Sequence, residues 1–214
     1  MAVSVYIEKI VSGGEGFARL ADGRVVFVPG TLPEELADIK IVQNKKDYAR
    51  GEVLRITKAS PFRGVPPCPY YFECGGCDFQ HITSEAQPQI KLSLFRETLA
   101  RIGQINIEQL PAAISHDPSS VLHYRTRAQF HIDADRGRVG FLGKHSSRVV
   151  QIATCPILDP RLQNLLEEGR SNWMSKEFPN TGRVPSGDKR GRAHRQMSRE
   201  NILTLPAVVS DSGA

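Results

Sequence analysis

Four cysteines carry the clearest chemical signal in the sequence: Cys68, Cys74, Cys77 and Cys155. Two glycines separate Cys74 from Cys77, so one tight turn can direct both sulfurs toward a single metal centre. Cys68 closes the same loop, whereas Cys155 must return from a distant element. The spacing therefore predicts a metal centre with three neighbouring thiolate ligands and one remote thiolate ligand.

The metal is a choice between iron–sulfur and zinc. Structural zinc sites commonly take their ligands as two short-spaced pairs, one on each of two turns. Three clustered cysteines with a distant fourth are more typical of iron–sulfur ligation. The spacing favours an iron–sulfur cluster, with zinc as the alternative. Four unrelated buried thiols would be the remaining explanation, and the Cys-Gly-Gly-Cys sequence in a proline-bounded loop argues against it.

Basic and aromatic residues form a second candidate group. Arg125 and Arg127 alternate along a predicted strand, which would place both planar guanidinium groups on one face, where they suit phosphate. Residues 1–57 contain further candidates for contacts with a nucleic acid. They are the cations Lys45, Lys46 and Arg50 and the aromatics Tyr6, Phe17 and Phe27. The alternative is that the charges are only solvated and the aromatics belong to the core.

The elements that would position these residues begin with a small closed barrel. Five short segments suit strands, and turn residues separate them. They are Val3–Lys9, Phe17–Leu20, Val25–Val28, Ala37–Val42 and Gly51–Ile56. Closure is expected because it removes exposed strand edges. An OB-like barrel of this kind can bind single-stranded RNA through basic and aromatic side chains.

Beyond the barrel the pattern mixes helices and strands. A helix is predicted from Ser84, as N-cap with Gln87 completing a capping box, to Gly103. A strand over Leu122–Ile132 would pair with Arg138–Leu142 and Arg148–Ile152. Asp159 and Pro160 predict the start of a second helix, with Leu162, Leu165 and Leu166 facing inward.

These elements indicate an α+β, β-rich fold with three parts. Residues 1–57 would form the OB-like barrel, and residues 58–170 a small mixed α/β central domain holding the four-cysteine site. Residues 171–214 would be a basic, poorly structured or truncated tail, because apolar periodicity weakens there.

Net charge and composition limit the partners and the cellular compartment that we expect for this protein. The net charge of +5 permits a polyanionic partner without requiring one. Neither a signal peptide nor a membrane-spanning apolar run is recognisable, so we expect a cytoplasmic protein. Thiols stay reduced in the cytoplasm, which favours metal ligation over disulfides.

Several motifs resemble those of a known family. The segments Gly13-Gly14-Glu15-Gly16-Phe17-Ala18 and Val25-Val26-Phe27-Val28-Pro29-Gly30 resemble a TRAM domain. The central region resembles that of the TRAM-bearing RNA (uracil-5-)-methyltransferases, of the iron–sulfur type that acts on 23S ribosomal RNA. The motifs that carry this likeness are Cys68-x5-Cys74-Gly-Gly-Cys77, His123-Tyr124-Arg125-Thr126-Arg127 and Cys155-Pro156-Ile157-Leu158.

The resemblance implies specific roles. The barrel would bind ribosomal or transfer RNA, and the four cysteines would hold a [4Fe-4S] cluster. Arg125 and Arg127 would lie in the RNA-facing part of the central domain. Members of the family use S-adenosylmethionine to methylate uracil.

The sequence also departs from the family. Family members continue into a Rossmann-like domain with the methyl-donor site and a nucleophilic cysteine, and neither is recognisable before Ala214. Addition at uracil C6 needs a nucleophile, usually a thiolate, and all four cysteines are assigned to the cluster. We therefore expect a monomeric RNA-binding and iron–sulfur portion that has no catalytic residue and is inactive alone. The alternatives are a zinc-stabilised RNA-binding module and a small iron–sulfur electron carrier.

Overall fold

The computed structural model describes residues 2–109, 121–133, 135–173 and 202–208. Two compact units divide the chain. Unit 1 comprises Met1–Phe72 and Cys77–Ser119, and unit 2 comprises Glu73–Gly76 and Ser120–Ala214. This division does not test the domain limits predicted from the sequence, which stay a prediction.

Unit 1 contains the predicted barrel. Its strands are β1 (Ala2–Ile10), β2 (Glu15–Arg19), β3 (Val25–Pro29), β4 (Leu36–Asn44) and β5 (Tyr48–Lys58). They close in the order β1-β2-β3-β5-β4. β3 and β5 are parallel, and the other neighbours are antiparallel. The β-rich fold class with a five-stranded barrel is confirmed.

The barrel core follows the two-residue period of its strands. Val5 and Ile7 of β1, Val26 and Val28 of β3, and Ile39 of β4 are all buried. β-branched residues suit these positions because they pack well on a pleated surface. Intervening side chains therefore point to the outer surface of the barrel.

A second apolar cluster continues from the barrel within unit 1. Ile10 and Leu32 of the barrel segment pack with Ile82 and Ala86, and the partly buried Ile90 and Leu94 cover them. The latter two belong to α1 (Gln87–Arg101). A short 3₁₀ helix follows over Ile107–Gln109.

The predicted cap of α1 is wrong. The N-cap is Ala86, and no side chain caps this helix end. Ser84 donates its hydroxyl to Glu85, and the Gln87 amide donates to the carbonyls of Phe79 and Ile82. Gln87 therefore holds the preceding loop rather than completing a capping box.

The described residues of unit 2 form a four-stranded sheet and one helix. The strands are β6 (Arg127–Asp133), β7 (Arg138–Leu142), β8 (Val149–Gln151) and β9 (Ile202–Val208), in the order β8-β7-β6-β9. All neighbours are antiparallel. The helix α2 (Pro160–Trp173) buries Leu162 and Leu166, whereas Leu165 is 40% exposed, so its predicted inward position is wrong.

The elements of unit 2 match the sequence predictions only in part. Asp159 caps α2 as predicted, because its carboxylate accepts a hydrogen bond from the amide of Arg161. β6 begins at Arg127, later than the predicted start at Leu122. β9 falls in the stretch expected to be poorly structured, most of which lies outside the described residues.

Across the described residues, no helix is both long enough and apolar enough to traverse a membrane.

Candidate functional site

Three aromatic rings lie side by side on the outer surface of the barrel. Phe17 of β2 and Phe27 of β3 are cross-strand partners, with ring centroids 6.2 Å apart. Phe27 also contacts Tyr48 of β5, with centroids 6.0 Å apart. Both contacts are edge-to-face, which aromatic pairs prefer. We call Phe17, Phe27 and Tyr48 the aromatic row.

Cations flank the Phe17 end of the aromatic row. The Lys9 ammonium lies 5.5 Å from the Phe17 ring centroid, and the Arg19 guanidinium lies 5.6 Å from it. Both distances fall within the range of cation–π attraction. Lys9 also pairs with Glu97, and Arg19 with Glu8. This end of the row therefore carries positive charge that is partly neutralised.

Lys45 and Lys46 lie in the turn between β4 and β5, at the Tyr48 end of the row. Both are exposed, and neither forms an ion pair with any described residue. The Lys45 amide donates to the Tyr48 carbonyl at 2.9 Å. Arg24 donates to the Lys45 carbonyl at 3.2 Å. The turn is thus held by its backbone while its two ammonium groups stay available.

The other barrel candidates differ from expectation. Tyr6 is 50% exposed but makes no ring contact with described aromatics. Arg50 pairs with Glu15 and so is less available for a phosphate. Tyr48 was missed because only the parallel pairing of β3 with β5 brings it to Phe27. The alternation of apolar residues within a single strand does not indicate which strand will be its neighbour.

Cys68 and Cys77 belong to unit 1, where Gln80 connects them. The Gln80 amide group donates to the Cys77 sulfur at 3.2 Å, and its carbonyl oxygen accepts from the Cys68 amide at 3.2 Å. Burial raises the pKa of the Cys68 thiol, and the negative charge of Cys77 raises it further. Two thiolates here would repel each other unless a cation or a metal centre compensated them.

The loop beside Cys77 is anchored by a buried aromatic pair. The hydroxyl of Tyr71 lies 2.6 Å from Nδ1 of His81 and donates to the Asp78 carbonyl at 2.8 Å. Burial raises the pKa of Tyr71 well above its usual value. His81 is fully buried, so this pair lies in the interior beside the loop.

Cys74 belongs to unit 2, where its segment lies against the turn between β7 and β8. Gly75 donates its amide to the Leu142 carbonyl at 2.9 Å, and Cys74 forms an isolated bridge with Gly143. A Cβ at position 75 would lie 3.2 Å from the Leu142 oxygen, which is a tight contact. The amide of Gly76 donates to the Cys74 sulfur at 3.4 Å. The glycines thus allow close backbone approach around this thiol.

Cys155 also belongs to unit 2 and precedes α2. Its amide donates to the side-chain oxygen of Gln163 at 3.0 Å. The same side chain donates to the Ala153 carbonyl at 2.9 Å. One glutamine of α2 therefore fixes the backbone on both sides of position 154.

No disulfide joins any of the four cysteines. Each unit contributes two of them, and no three His, Cys, Asp or Glu side chains among the described residues form a group able to hold a metal ion. The donor chemistry suits a thiolate-ligated centre, because the Cys74 and Cys77 sulfurs both accept N–H hydrogen bonds. The ligand set predicted from the sequence stays a prediction.

Arg125 and Arg127 occupy different settings in unit 2. The Arg125 guanidinium donates to the Gly76 carbonyl at 3.3 Å, and its backbone pairs with Ile157 and Asp159. Arg127 is exposed at the start of β6, with no side-chain hydrogen bond or ion pair to a described residue. Arg125 thus serves as a structural link, whereas Arg127 is the more available cation. β6 starts at Arg127 and Arg125 forms an isolated bridge with Leu158, so the shared face of the two arginines stays a prediction.

Comparison with known proteins bears on the barrel first. Residues 2–54 match the model of the TRAM domain, a span that covers β1 to β4 and part of β5. The first unit of the chain therefore contains a TRAM barrel.

Relatives extend the similarity beyond the TRAM barrel. A 23S rRNA (uracil(1939)-C(5))-methyltransferase RlmD of Halomonas elongata is 38% identical over 81% of this chain and 36% of its own length. The enzyme of the same name from Acidithiobacillus ferrooxidans is 40% identical over 74% of this chain and 36% of its own. The chain is a relative of RNA (uracil-C5)-methyltransferases. The predicted family resemblance is confirmed.

The chain spans about a third of the length of the curated relatives that it matches, 36% in both cases above. A solved structure also aligns: the Pyrococcus abyssi tRNA (uracil-54, C5)-methyltransferase in complex with S-adenosyl-L-homocysteine. Its TM-score is 0.48 at 22% identity, covering 78% of this chain and 36% of that one.

Proposed function

We propose that these residues form the RNA-binding and iron–sulfur-bearing part of an S-adenosylmethionine-dependent RNA (uracil-5-)-methyltransferase acting on ribosomal or transfer RNA. The observation that carries this proposal is 38 to 40% identity to two enzymes named 23S rRNA (uracil(1939)-C(5))-methyltransferases. We expect the chain to act in the cytoplasm as a monomer.

The TRAM barrel would make the principal contact with RNA. Lys45 and Lys46 project from the β4–β5 turn, which also carries Asp47, and neither lysine forms an ion pair with a described residue. Two such charges release counterions when they meet phosphates, which makes binding favourable and dependent on salt. Arg127 would add a phosphate contact from unit 2, whereas Arg125 would hold the Gly76 backbone.

A [4Fe-4S] cluster ligated by Cys68, Cys74, Cys77 and Cys155 is the cofactor we propose. Its support is the ligand spacing in the sequence together with four cysteines that no disulfide joins. When bound, the cluster would tie segments far apart in sequence to one centre and so stabilise the fold. Gln80 and Gln163 would orient the backbone or sulfur of three of these cysteines.

Methyl transfer would need a nucleophile other than these four thiols. A thiolate ligated to iron cannot also add to uracil C6, and the 214 residues contain no fifth cysteine. No methyl-donor motif is recognisable in these residues either, so we expect the 214-residue chain to bind RNA without retaining S-adenosylmethionine. Stoichiometric binding of the methyl donor in calorimetry would contradict this expectation.

The test of the RNA-binding role is a salt titration of affinity. Fluorescence anisotropy with a labelled single-stranded ribosomal RNA fragment would compare the unaltered chain with Lys45→Ala/Lys46→Ala. Each phosphate contact contributes about −0.7 to the slope of log affinity against log salt for a single strand, so the slope should weaken by about 1.4.

The matched control is Lys40→Ala/Lys58→Ala. It removes the same charge from exposed positions on β4 and β5 away from the turn. Its slope should stay near that of the unaltered chain. An equal loss in both variants would mean that net charge, and not the turn, drives binding. Absence of RNA binding by the unaltered chain would refute the proposed function.

A further inference from the structure

We propose that Gln80 sets the reduction potential of the iron–sulfur cluster, because its side-chain amide holds an N–H hydrogen bond on the Cys77 sulfur. Gln80 is thus a positioning residue that acts on the cofactor through one of the ligands. This inference rests on the proposed function and goes further, because it assigns an electronic role to a side chain that is not itself a ligand.

The orientation of the Gln80 amide is fixed by the groups at its two ends. Its carbonyl oxygen accepts a hydrogen bond from the Cys68 backbone N–H at 3.2 Å, and its NH₂ group donates to the Cys77 sulfur at 3.2 Å. A backbone N–H is only a donor, so it pairs with the amide oxygen and not with the NH₂ group. Rotation of the amide by half a turn would place N–H against N–H and oxygen against a thiolate. The bond to the Cys68 backbone therefore keeps the donor on the Cys77 sulfur.

A donor on a ligating sulfur favours the more negative state of a cluster. Four thiolates make the ligated cluster anionic, and the uptake of one electron adds a further negative charge without moving a proton. Hydrogen bonds to the sulfurs are among the factors that set the reduction potential, because they stabilise negative charge on sulfur. Gln80 is partly buried, which strengthens such a bond. Removal of this donor should therefore lower the potential.

Gln163 provides a comparison within the same chain. Its carbonyl oxygen also accepts from the backbone N–H of a proposed ligand, Cys155, at 3.0 Å. Its NH₂ group, however, donates to the Ala153 carbonyl at 2.9 Å and to the Glu167 carboxylate at 2.8 Å. An NH₂ group has two hydrogens, so both hydrogens of Gln163 are directed to oxygen. The two glutamines thus share the contact with a cysteine backbone and differ in the contact with sulfur.

The experiment measures the midpoint potential of the cluster in the 214-residue chain, purified without oxygen. Gln80→Met removes the donor with little change in side-chain length, and Gln80→Glu replaces it with a negative charge. A redox titration with dithionite as the electron donor would be followed by visible absorbance and electron paramagnetic resonance. The potential should be more negative in Gln80→Met than in the unaltered chain, and more negative again in Gln80→Glu. These values belong to the loaded fraction, so partial loss of iron leaves the comparison intact.

Two matched controls separate the donor from backbone support and from charge. Gln163→Met removes a glutamine that holds a cysteine backbone, so it should lower iron content or melting temperature without changing the potential. Gln89→Glu introduces the same charge at an exposed position of α1 and should change neither iron content nor potential. An equal shift of the potential in Gln163→Met would assign the effect to backbone support and overturn the inference.

A second readout uses the unaltered chain. Protein labelled with nitrogen-15 only in its glutamine side chains would be brought to the paramagnetic state of the cluster. Electron–nuclear double resonance would then detect labelled nuclei close to the cluster. A nitrogen-15 coupling supports the hydrogen bond, and its loss in Gln80→Met assigns it to Gln80. Absence of the coupling in the unaltered chain contradicts the inference.

The outcomes separate this inference from the proposed function. If the unaltered chain holds the cluster and binds RNA while the Gln80 variants keep its potential, the role of Gln80 is refuted and the proposed function stands. If the unaltered chain contains zinc or no metal, the cofactor and the role of Gln80 both fail. If neither Gln80 variant retains iron, the nitrogen-15 coupling of the unaltered chain decides.

Discussion

Glu35 is a fully buried carboxylate that is hydrogen-bonded through both of its oxygens. It accepts hydrogen bonds from the amides of Leu32 and Ser60 and from the guanidinium of Arg63. Burial opposes its ionisation, but the bonds from Arg63 and from the two amides outweigh burial and keep the pKa of Glu35 below its usual value. The pair thus ties the chain after β5 to the loop that follows β3.

Removing the arginine of this pair should destabilise the protein. Arg63→Met would leave the buried carboxylate without its cation, at a cost of about 2–4 kcal/mol, less than for a pair with both partners buried. Arg63 itself is 23% exposed, which justifies the discount. Urea unfolding would measure the loss. Arg55→Met is the control, because Arg55 is 72% exposed beside Asp38 and should contribute little. Equal effects of the two substitutions would contradict this account.

Asp159 predicts a pH dependence. Hydrogen bonds from the guanidinium and then from the amide of Arg161 lower its pKa from 3.8 to about 2. A carboxyl with a lower pKa in the folded state stabilises the fold above its unfolded pKa, and this contribution is lost as the pH falls from about 4 to about 2.

Asp159→Asn isolates the charge, since asparagine is also a good N-cap. The variant should melt below the unaltered protein at pH 5, and the difference should shrink as the pH approaches 2.5. Thermal unfolding across this pH range would measure it. A difference that stays constant with pH would mean that the charge of Asp159 is not its source.

At the scale of elements, the turn between β1 and β2 requires glycine at two positions, and the physical reason differs between them. Gly13 and Gly14 both have positive φ, at 92° and 77°. A Cβ at Gly13 would meet nothing within 4 Å, whereas one at Gly14 would lie 2.8 Å from the carbonyl oxygen and the Cβ of Asp78. At Gly14 the TRAM barrel therefore approaches Asp78, the residue after Cys77, closely.

The two positions make a matched pair of substitutions. Gly13→Ala should cost about 1–2 kcal/mol, the penalty of a left-handed conformation for an L-residue. Gly14→Ala should cost clearly more, because Asp78 must also move. Thermal or urea unfolding of both variants would compare them. Equal losses of unfolding free energy in the two variants would show that Asp78 can move away from the new Cβ at no energetic cost.

The strands of the barrel could be predicted from the sequence, whereas their order in the sheet could not. The five barrel strands could be predicted because apolar alternation and turn residues both lie within a few positions of each strand. The order β1-β2-β3-β5-β4 could not, since the parallel pairing of β3 with β5 leaves no mark in either segment. β9 was missed for a physical reason: it contains Pro206, and proline within a run argues against a strand.

The candidate site follows the same rule. The exposed Lys45–Lys46 turn and the four thiols could be named from residue type and spacing alone. Tyr48 and Gln80 could not, because each acquires its role from a neighbour that only the fold supplies. The prediction that Arg125 faces RNA stays a prediction beside the hydrogen bond that its guanidinium donates to Gly76. An arginine that suits phosphate also suits a backbone carbonyl, and sequence does not distinguish the two.

At the scale of the whole molecule, the proposed cluster predicts that metal and stability are coupled. Protein purified without oxygen should be brown and contain about four iron and four sulfide per chain. Chelation of the iron should lower the melting temperature, because free energy of metal binding is free energy of folding.

Substitution of any one cysteine tests the ligand set. Cys68→Ser and Cys155→Ser should each lower iron content and melting temperature, although they lie in different units. Ser93→Ala, at an exposed position of α1, is a control that should retain iron. One zinc per colourless chain would replace the iron–sulfur assignment, and retention of iron by Cys155→Ser would remove Cys155 from the ligands.

The pairing of β6 with β9 has a consequence for biosynthesis. Every strand of the TRAM barrel lies within the first 58 residues, so the barrel can close as soon as that stretch has left the ribosome. β6 must wait for Ile202–Val208 before its second edge is satisfied. During translation, the nascent chain thus carries a finished barrel beside a sheet with an open edge, which is the kind of surface that chaperones shield.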